Sequence, residues 1–142
     1  MDIRQLTPDF SVAPQIEPQD MADIAALGYK TVICNRPDAE NPPSHSAEVM
    51  AQEAKAHGLT FLVNQFPTPM LSMEHVTAQR GLLDQAEGPI LAYCASGTRS
   101  TMVWALSVAG QMPTDDIIAA AARGGYALDG MRGQIDALAS GN

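Results

Sequence analysis

Three short apolar runs constrain the fold more than any other feature: Thr31-Val32-Ile33-Cys34, Leu59-Thr60-Phe61-Leu62-Val63 and Ile90-Leu91-Ala92-Tyr93. Each follows a helical stretch that closes on glycine. Residues 18–27 read as a helix with Pro18 at its first position and Gly28 just past its end. Residues 46–57 read as a helix stopped by Gly58, and residues 72–87 as one ended by Gly88-Pro89. Strands separated by helices pair in parallel, with the helices packed on the sheet faces. Residues 10–13 supply a further strand, and residues 90–93, apolar on both faces, suit the sheet centre. The expected architecture is therefore α/β, a mainly parallel sheet of four to five strands flanked by helices. The helix expected over residues 100–109 is apolar nearly all round, so it is expected to be buried, and Gly110 ends it. Thr114 is expected to cap a helix running to about Arg123, and residues 128–138 give a last one. The C-terminal third reads as helical.

The 142 residues suit one domain over 1–142, and 46% hydrophobic content supports a real core. With 16 acidic against 8 basic residues the net charge is -8, which argues against nucleic acid or an anionic membrane as partner. No apolar run approaches the roughly 18 residues of a spanning helix, and the start, MDIRQLTPDF, carries no recognisable address. A cytoplasmic location is the expectation. In that compartment Cys34 and Cys94 need no disulfide. His45, His57 and His75 have neither an i, i+4 partner nor a cysteine at metal spacing, so neither metal nor cofactor is expected.

The segment that carries chemistry is Cys94-Ala95-Ser96-Gly97-Thr98-Arg99-Ser100, set between a buried strand and a buried helix. A loop in that position aims several backbone N–H groups at one point, and the helix dipole adds about half a positive charge there. Cys94 is the candidate nucleophile, since a charged sulfur is favoured in such a field. Ala95, Ser96, Gly97 and Thr98 form the expected anion-binding loop, in which Gly97 permits a turn where a Cβ would intrude. Arg99 offers a planar charged fork to an oxyanion, and Ser100 can donate to the sulfur or cap the helix. The run Cys34-Asn35-Arg36-Pro37-Asp38-Ala39-Glu40 leaves its strand at the same sheet edge, making Arg36, Asp38 and Glu40 candidates for the pocket rim. The same composition also suits a solvated turn with a local ion pair. Any of Tyr126, Arg123 and Arg132 could rim a pocket, but no spacing lifts them above surface residues.

At these residues the chain resembles two families. Cysteine-dependent protein phosphatases carry Cys, five residues and Arg, whereas four residues separate Cys94 from Arg99. Small rhodanese-type sulfurtransferases carry loops similar to Cys-x-x-Gly-x-Arg-Ser, which this loop matches at each fixed position. Taken with Ser11-Val12-Ala13-Pro14-Gln15-Ile16 and the Cys34 run, the chain resembles the phosphatase-like domains found alone or fused to metallo-β-lactamase-type persulfide dioxygenases. That resemblance spans nearly all of residues 1–110. It implies a protein-tyrosine-phosphatase-like fold and a role in sulfane-sulfur handling, with a persulfide dioxygenase as a possible partner.

The loop after the third strand, residues 64–71, holds no Asp or Glu to protonate a leaving alkoxide; the next acid, Glu74, falls at a helix start. Sulfur transfer needs no strong acid. The first expectation is thus a sulfurtransferase. Cys94 would carry sulfane sulfur from thiosulfate or a small persulfide to a thiol, cyanide or sulfite, with Arg99 orienting the anionic donor, Ser100 tuning Cys94 and Arg36 recruiting at the mouth. The alternative is a cysteine-dependent phosphatase using Cys94 and Arg99, with Asp38 or Glu40 as the acid. A third reading is a non-catalytic persulfide- or anion-binding module.

Overall fold

A computed structural model of the chain describes residues 1–67 and 71–141. Among them five strands, β1 (Arg4–Thr7), β2 (Phe10–Ala13), β3 (Thr31–Cys34), β4 (Thr60–Val63) and β5 (Ile90–Tyr93), form one sheet in the order β1-β2-β5-β3-β4. Only the β1–β2 pair is antiparallel. The expected mainly parallel α/β sheet is present, with β5 at its centre. Every residue of β2, β3 and β5 is buried. β4, at the edge, leaves Val63 50% exposed, as an edge strand with one open side allows. β1 was not expected from the sequence: Arg4-Gln5-Leu6-Thr7 buries only Leu6, too short an alternation to signal a strand.

Helices α1 (Asp20–Ala26) and α2 (Ala47–Ala56) cover one face, where Met21, Ile24, Met50 and Ala54 pack on Val32, Cys34, Leu91 and Tyr93. Helices α3 (Met73–Gln85), α4 (Thr98–Ser107), α5 (Thr114–Arg123) and α6 (Arg132–Ala139) cover the other, around Phe10, Val12, Ile33, Ile90 and Ala92. Alternate strand residues thus serve opposite cores, and each large side chain fully buried contributes roughly 1.5–3 kcal/mol. Trp104 of α4 stacks on Phe10 of β2 with ring centroids 5.7 Å apart, tying the buried helix to the sheet.

Three helix starts differ from expectation for local reasons. α1 begins at Asp20, not Pro18, because the Asp20 carboxylate accepts from the Glu17 N–H and closes a turn ahead of the helix. α4 begins at Thr98, two residues early, because Gly97 at φ 91° turns the chain directly into it. Thr114 does not cap α5; it is its first residue, and its hydroxyl donates to Asp136 of α6. The expected last helix is divided into a 3-10 turn over Asp129–Met131 and then α6. Of the loop expected over residues 64–69, Thr68 and Pro69 lie outside the described residues. No helix among the described residues is long and apolar enough to cross a membrane.

Candidate functional site

Register brings the site together. Ala13 pairs with Tyr93, Tyr93 with Cys34 and Cys34 with Val63, so β2, β5, β3 and β4 all end at one level. The loops that follow them open at a single edge, the usual ligand crevice of a parallel sheet. Cys94 is the first residue beyond β5.

Cys94 is fully buried, and its sulfur accepts the Gly97 N–H at 3.0 Å. The turn that makes this possible needs glycine twice over. Gly97 sits at φ 91°, and a Cβ placed on it would overlap the Tyr126 hydroxyl. Tyr126 in turn donates to the Ser96 carbonyl at 2.9 Å, clamping the loop from outside. The Thr101 hydroxyl and N–H both donate to the Gly97 carbonyl, at 2.7 and 3.0 Å, and so lock the loop to the first turn of α4. Tyr126, which the sequence raises no higher than a surface residue that could rim a pocket, is 7% exposed and part of this clamp. Its residue type alone gave no signal of that. Arg123 donates to the Leu6 carbonyl and Arg132 to Asp115, both remote from the loop.

Arg99, in the first turn of α4, meets Glu40 through both terminal nitrogens: Nη1 donates to Oε2 at 2.9 Å and Nη2 to Oε1 at 2.7 Å. Nη1 also donates to the Phe66 carbonyl at 3.2 Å. The hydrogen bonds from Arg99 hold the Glu40 carboxyl below its ordinary range, and the Arg99 charge and Arg36 act in the same direction against partial burial. Glu40 in turn raises Arg99, and the Cys94 sulfur acts in the same direction against partial burial. Glu40 therefore reaches the site. Of the two readings of Arg36, a recruiting cation at the mouth or a local ion pair, the structure shows the ion pair: Nε donates to Glu40 Oε1, Nη2 to the Glu40 carbonyl and Nη1 to Gln15 Oε1. Asp38 is likewise turned away, its Oδ1 accepting from the Ala47 N–H at 2.8 Å and from Gln65 Nε2 at 3.2 Å, which makes it a brace at the start of α2.

Ser100 does not donate to sulfur. Its single hydroxyl proton goes to Asn35 Oδ1 at 2.8 Å, inside a buried polar network. Asn35 Nδ2 donates to the Asn64 carbonyl and to Gln79 Oε1, and Asn64 Nδ2 donates to the same Gln79 oxygen and to the His75 carbonyl. This network binds the ends of β3 and β4 to α3 and α4. The sequence does carry its trace: Asn35 and Asn64 each follow an apolar strand directly, at neighbouring registers. Gln79 carries no such trace, lying mid-helix among ordinary helix formers.

A pocket of about 330 Å³ opens above the loop, with Arg99, Ala95, Ser96 and Thr98 on one side and Phe66, Pro67, Leu71 and Met102 forming an apolar wall. Its size is at the lower end of small-molecule sites. Cys34 lies apart, on the α1/α2 face, donating to the Arg36 carbonyl. Burial pushes its thiol upward, and burial together with Cys34 pushes the neighbouring Tyr93 phenol upward. The arrangement gathers at one sheet edge the Cys94 sulfur under the Gly97 N–H, the Arg99 guanidinium paired with Glu40, and an apolar wall.

Comparison with known proteins agrees with this geometry. A solved structure from Neisseria meningitidis, described as a candidate phosphatase, superposes with a TM-score of 0.82 at 35% identity, covering 97% of this chain and 99% of that one. Tk-PTP in its active form superposes at 0.77 with 14% identity over 99% and 98% of the two chains, which shows a shared fold. A beta-lactamase hydrolase-like protein of Xylella fastidiosa is 29% identical over 132 residues, 90% of this chain, which spans only 30% of that longer protein. The model of the phosphatase-like domain of beta-lactamase hydrolase-like proteins matches residues 2–111. With the cysteine loop, the strand register and this match in agreement, the chain belongs to the family of beta-lactamase hydrolase-like phosphatase-like domains, on a protein-tyrosine-phosphatase-like fold.

Proposed function

We propose that the chain is a cysteine-dependent phosphatase acting on phosphate monoesters of apolar, readily leaving alcohols such as phenols. The observation that carries this reading is Cys94 Sγ held under the Gly97 N–H at the start of a loop whose Arg99 lines the pocket. The Cys94 thiolate attacks phosphorus and the ester P–O bond breaks. The leaving group departs as the oxyanion with the bonding pair and is protonated by solvent; water then attacks phosphorus, the P–S pair returns to sulfur, and the water's proton passes to solvent as phosphate leaves. Loop amides and Arg99 hold the equatorial oxygens, and removing one such donor typically lowers the rate about 10²–10³-fold. No carboxyl stands on residues 64–71 to protonate the leaving group. Phenols with low pKa should therefore be favoured over alkyl alcohols, and the apolar wall of Phe66, Leu71 and Met102 suits an aryl ring. The test is steady-state hydrolysis of a series of aryl phosphates. Turnover should be abolished by Cys94→Ser and should fall steeply as the phenol becomes more basic; equal rates in Cys94→Ser would overturn the proposal.

A second reading is sulfur transfer, favoured by one observation: the loop has four rather than five residues between Cys94 and Arg99. Cys94 thiolate would attack the sulfane sulfur of thiosulfate, the S–S bond would break with sulfite leaving as the electron-pair acceptor, and a thiol or cyanide would take the outer sulfur. A single-sulfur mass gain on Cys94 that a cyanide chase removes is its test. The fold neighbours favour the phosphatase reading over this one.

A further inference from the structure

Arg99 has five N–H donors, and three are committed: both of Nη1 to Glu40 and the Phe66 carbonyl, and one of Nη2 to Glu40. The two that remain, Nε–H and the second Nη2–H, share one edge of the planar guanidinium, the edge suited to side-on capture of an oxyanion. Glu40 therefore does not fill the capturing edge. It holds the adjoining end-on edge, formed by Nη1 and Nη2.

Glu40 is itself held. Arg36 donates to its carboxylate at 3.3 Å and to its carbonyl at 3.1 Å, and Arg36 Nη1 donates to Gln15 Oε1 at 3.2 Å. Gln15 closes the circuit by donating its backbone N–H to the Ala95 carbonyl at 3.2 Å, within the Cys94 loop. A ring of hydrogen bonds thus leaves the loop at Ala95, passes through Gln15, Arg36 and Glu40, and returns to it at Arg99. It joins the segments that follow β2, β3 and β5. The Arg99 side chain is 11% exposed and that of Arg36 21%, so the ring is partly screened from solvent.

We infer that Gln15, Arg36 and Glu40 are positioning residues that fix the side-on edge of Arg99 toward the anion site. The inference takes only its ligand class, a tetrahedral oxyanion, from the phosphatase reading. It makes a prediction of sign. Deleting the negative charge of Glu40 should tighten anion binding if only net charge matters, and should weaken it if Glu40 aims Arg99.

The experiment is calorimetric titration of the folded protein with tungstate, with near-ultraviolet circular dichroism to confirm that each variant keeps its packing. Glu40→Gln should weaken tungstate by about ten-fold, the order of one charge-assisted hydrogen bond. Arg36→Lys, which keeps the charge but cannot hold the Glu40 carboxylate and carbonyl together, should weaken it several-fold. Glu40→Asp should recover part of the loss. Asp38→Asn, an equal charge change on a residue braced elsewhere, should leave binding unchanged or tighter. If Glu40→Gln binds tungstate as tightly as wild type or more tightly, Glu40 is a resident competitor for Arg99 and the inference is wrong. A wild-type protein that binds tungstate but hydrolyses no aryl phosphate would overturn the proposed function and leave this result readable. A wild type that binds no tungstate would overturn both.

Discussion

The Tyr126 hydroxyl lies directly over Gly97, close enough that a Cβ on Gly97 would overlap it, while donating to the carbonyl of Ser96 one residue earlier. Two requirements therefore meet at one glycine: the positive φ that turns its N–H toward Cys94, and the space that lets Tyr126 close the loop. Gly97→Ala violates both. Adopting the left-handed region costs a residue with a Cβ roughly 1–2 kcal/mol, before any displacement of Tyr126. Urea denaturation should show a loss of at least about that size, together with loss of anion binding. A variant with wild-type stability and binding would show that the loop tolerates a different turn.

The Ser100 hydroxyl satisfies Asn35 Oδ1 in a site with no exposure of either residue. Ser100→Ala leaves that buried acceptor unmatched, at a cost of about 1–3 kcal/mol. Because the proton is given to Asn35 and not to sulfur, Ser100→Ala should lose stability in urea melts while folded protein keeps wild-type tungstate affinity. Weakened tungstate binding by folded Ser100→Ala would mean that Ser100 acts on the anion site.

Cys34 is 2% exposed and its thiol is pushed upward by burial, so it should stay in the neutral form at neutral pH. Peptide mass mapping after brief iodoacetamide treatment of native protein should find Cys34 unmodified. Rapid labelling there would contradict its placement against the α1/α2 core and reopen a redox role.

Glu40 contributes to stability with a definite pH sign. Its folded pKa lies below the ordinary carboxylate value, so the contribution is present above the unfolded value and disappears as pH falls through the depressed folded one. The stability difference between wild type and Glu40→Gln, from urea melts across acid pH, should shrink toward low pH. A difference that grew on acidification would refute the pairing with Arg99.

Much of the fold was legible because its signals are local. The glycine-closed helices and apolar runs place four of the five strands within a residue of their observed bounds. β1 escaped because one buried leucine in four residues makes no pattern. The loop of Cys94 and Arg99 was legible for the same reason as the strands, since adjacent residues build it. What was not legible lies between segments. The local ion pair of Arg36 with Glu40 was one of two open readings of its segment, whereas the hold on Arg36 by Gln15, from the segment after β2, left no mark in the sequence. Ser100 looked like a sulfur ligand until Asn35, across the sheet edge, took its only proton. Tyr126, 29 residues beyond Gly97, reaches the loop only through the packing of the helical third.

Rapid-quench intact-mass measurement during turnover of an aryl phosphate shows whether Cys94 accepts a phosphoryl group. Phosphoryl transfer to Cys94 predicts a transient gain of one phosphoryl group, mapped to Cys94 and absent in Cys94→Ser. No phosphoryl adduct under turnover, with instead a single-sulfur gain on Cys94 from thiosulfate, would contradict it and make sulfur transfer the chemistry of this loop.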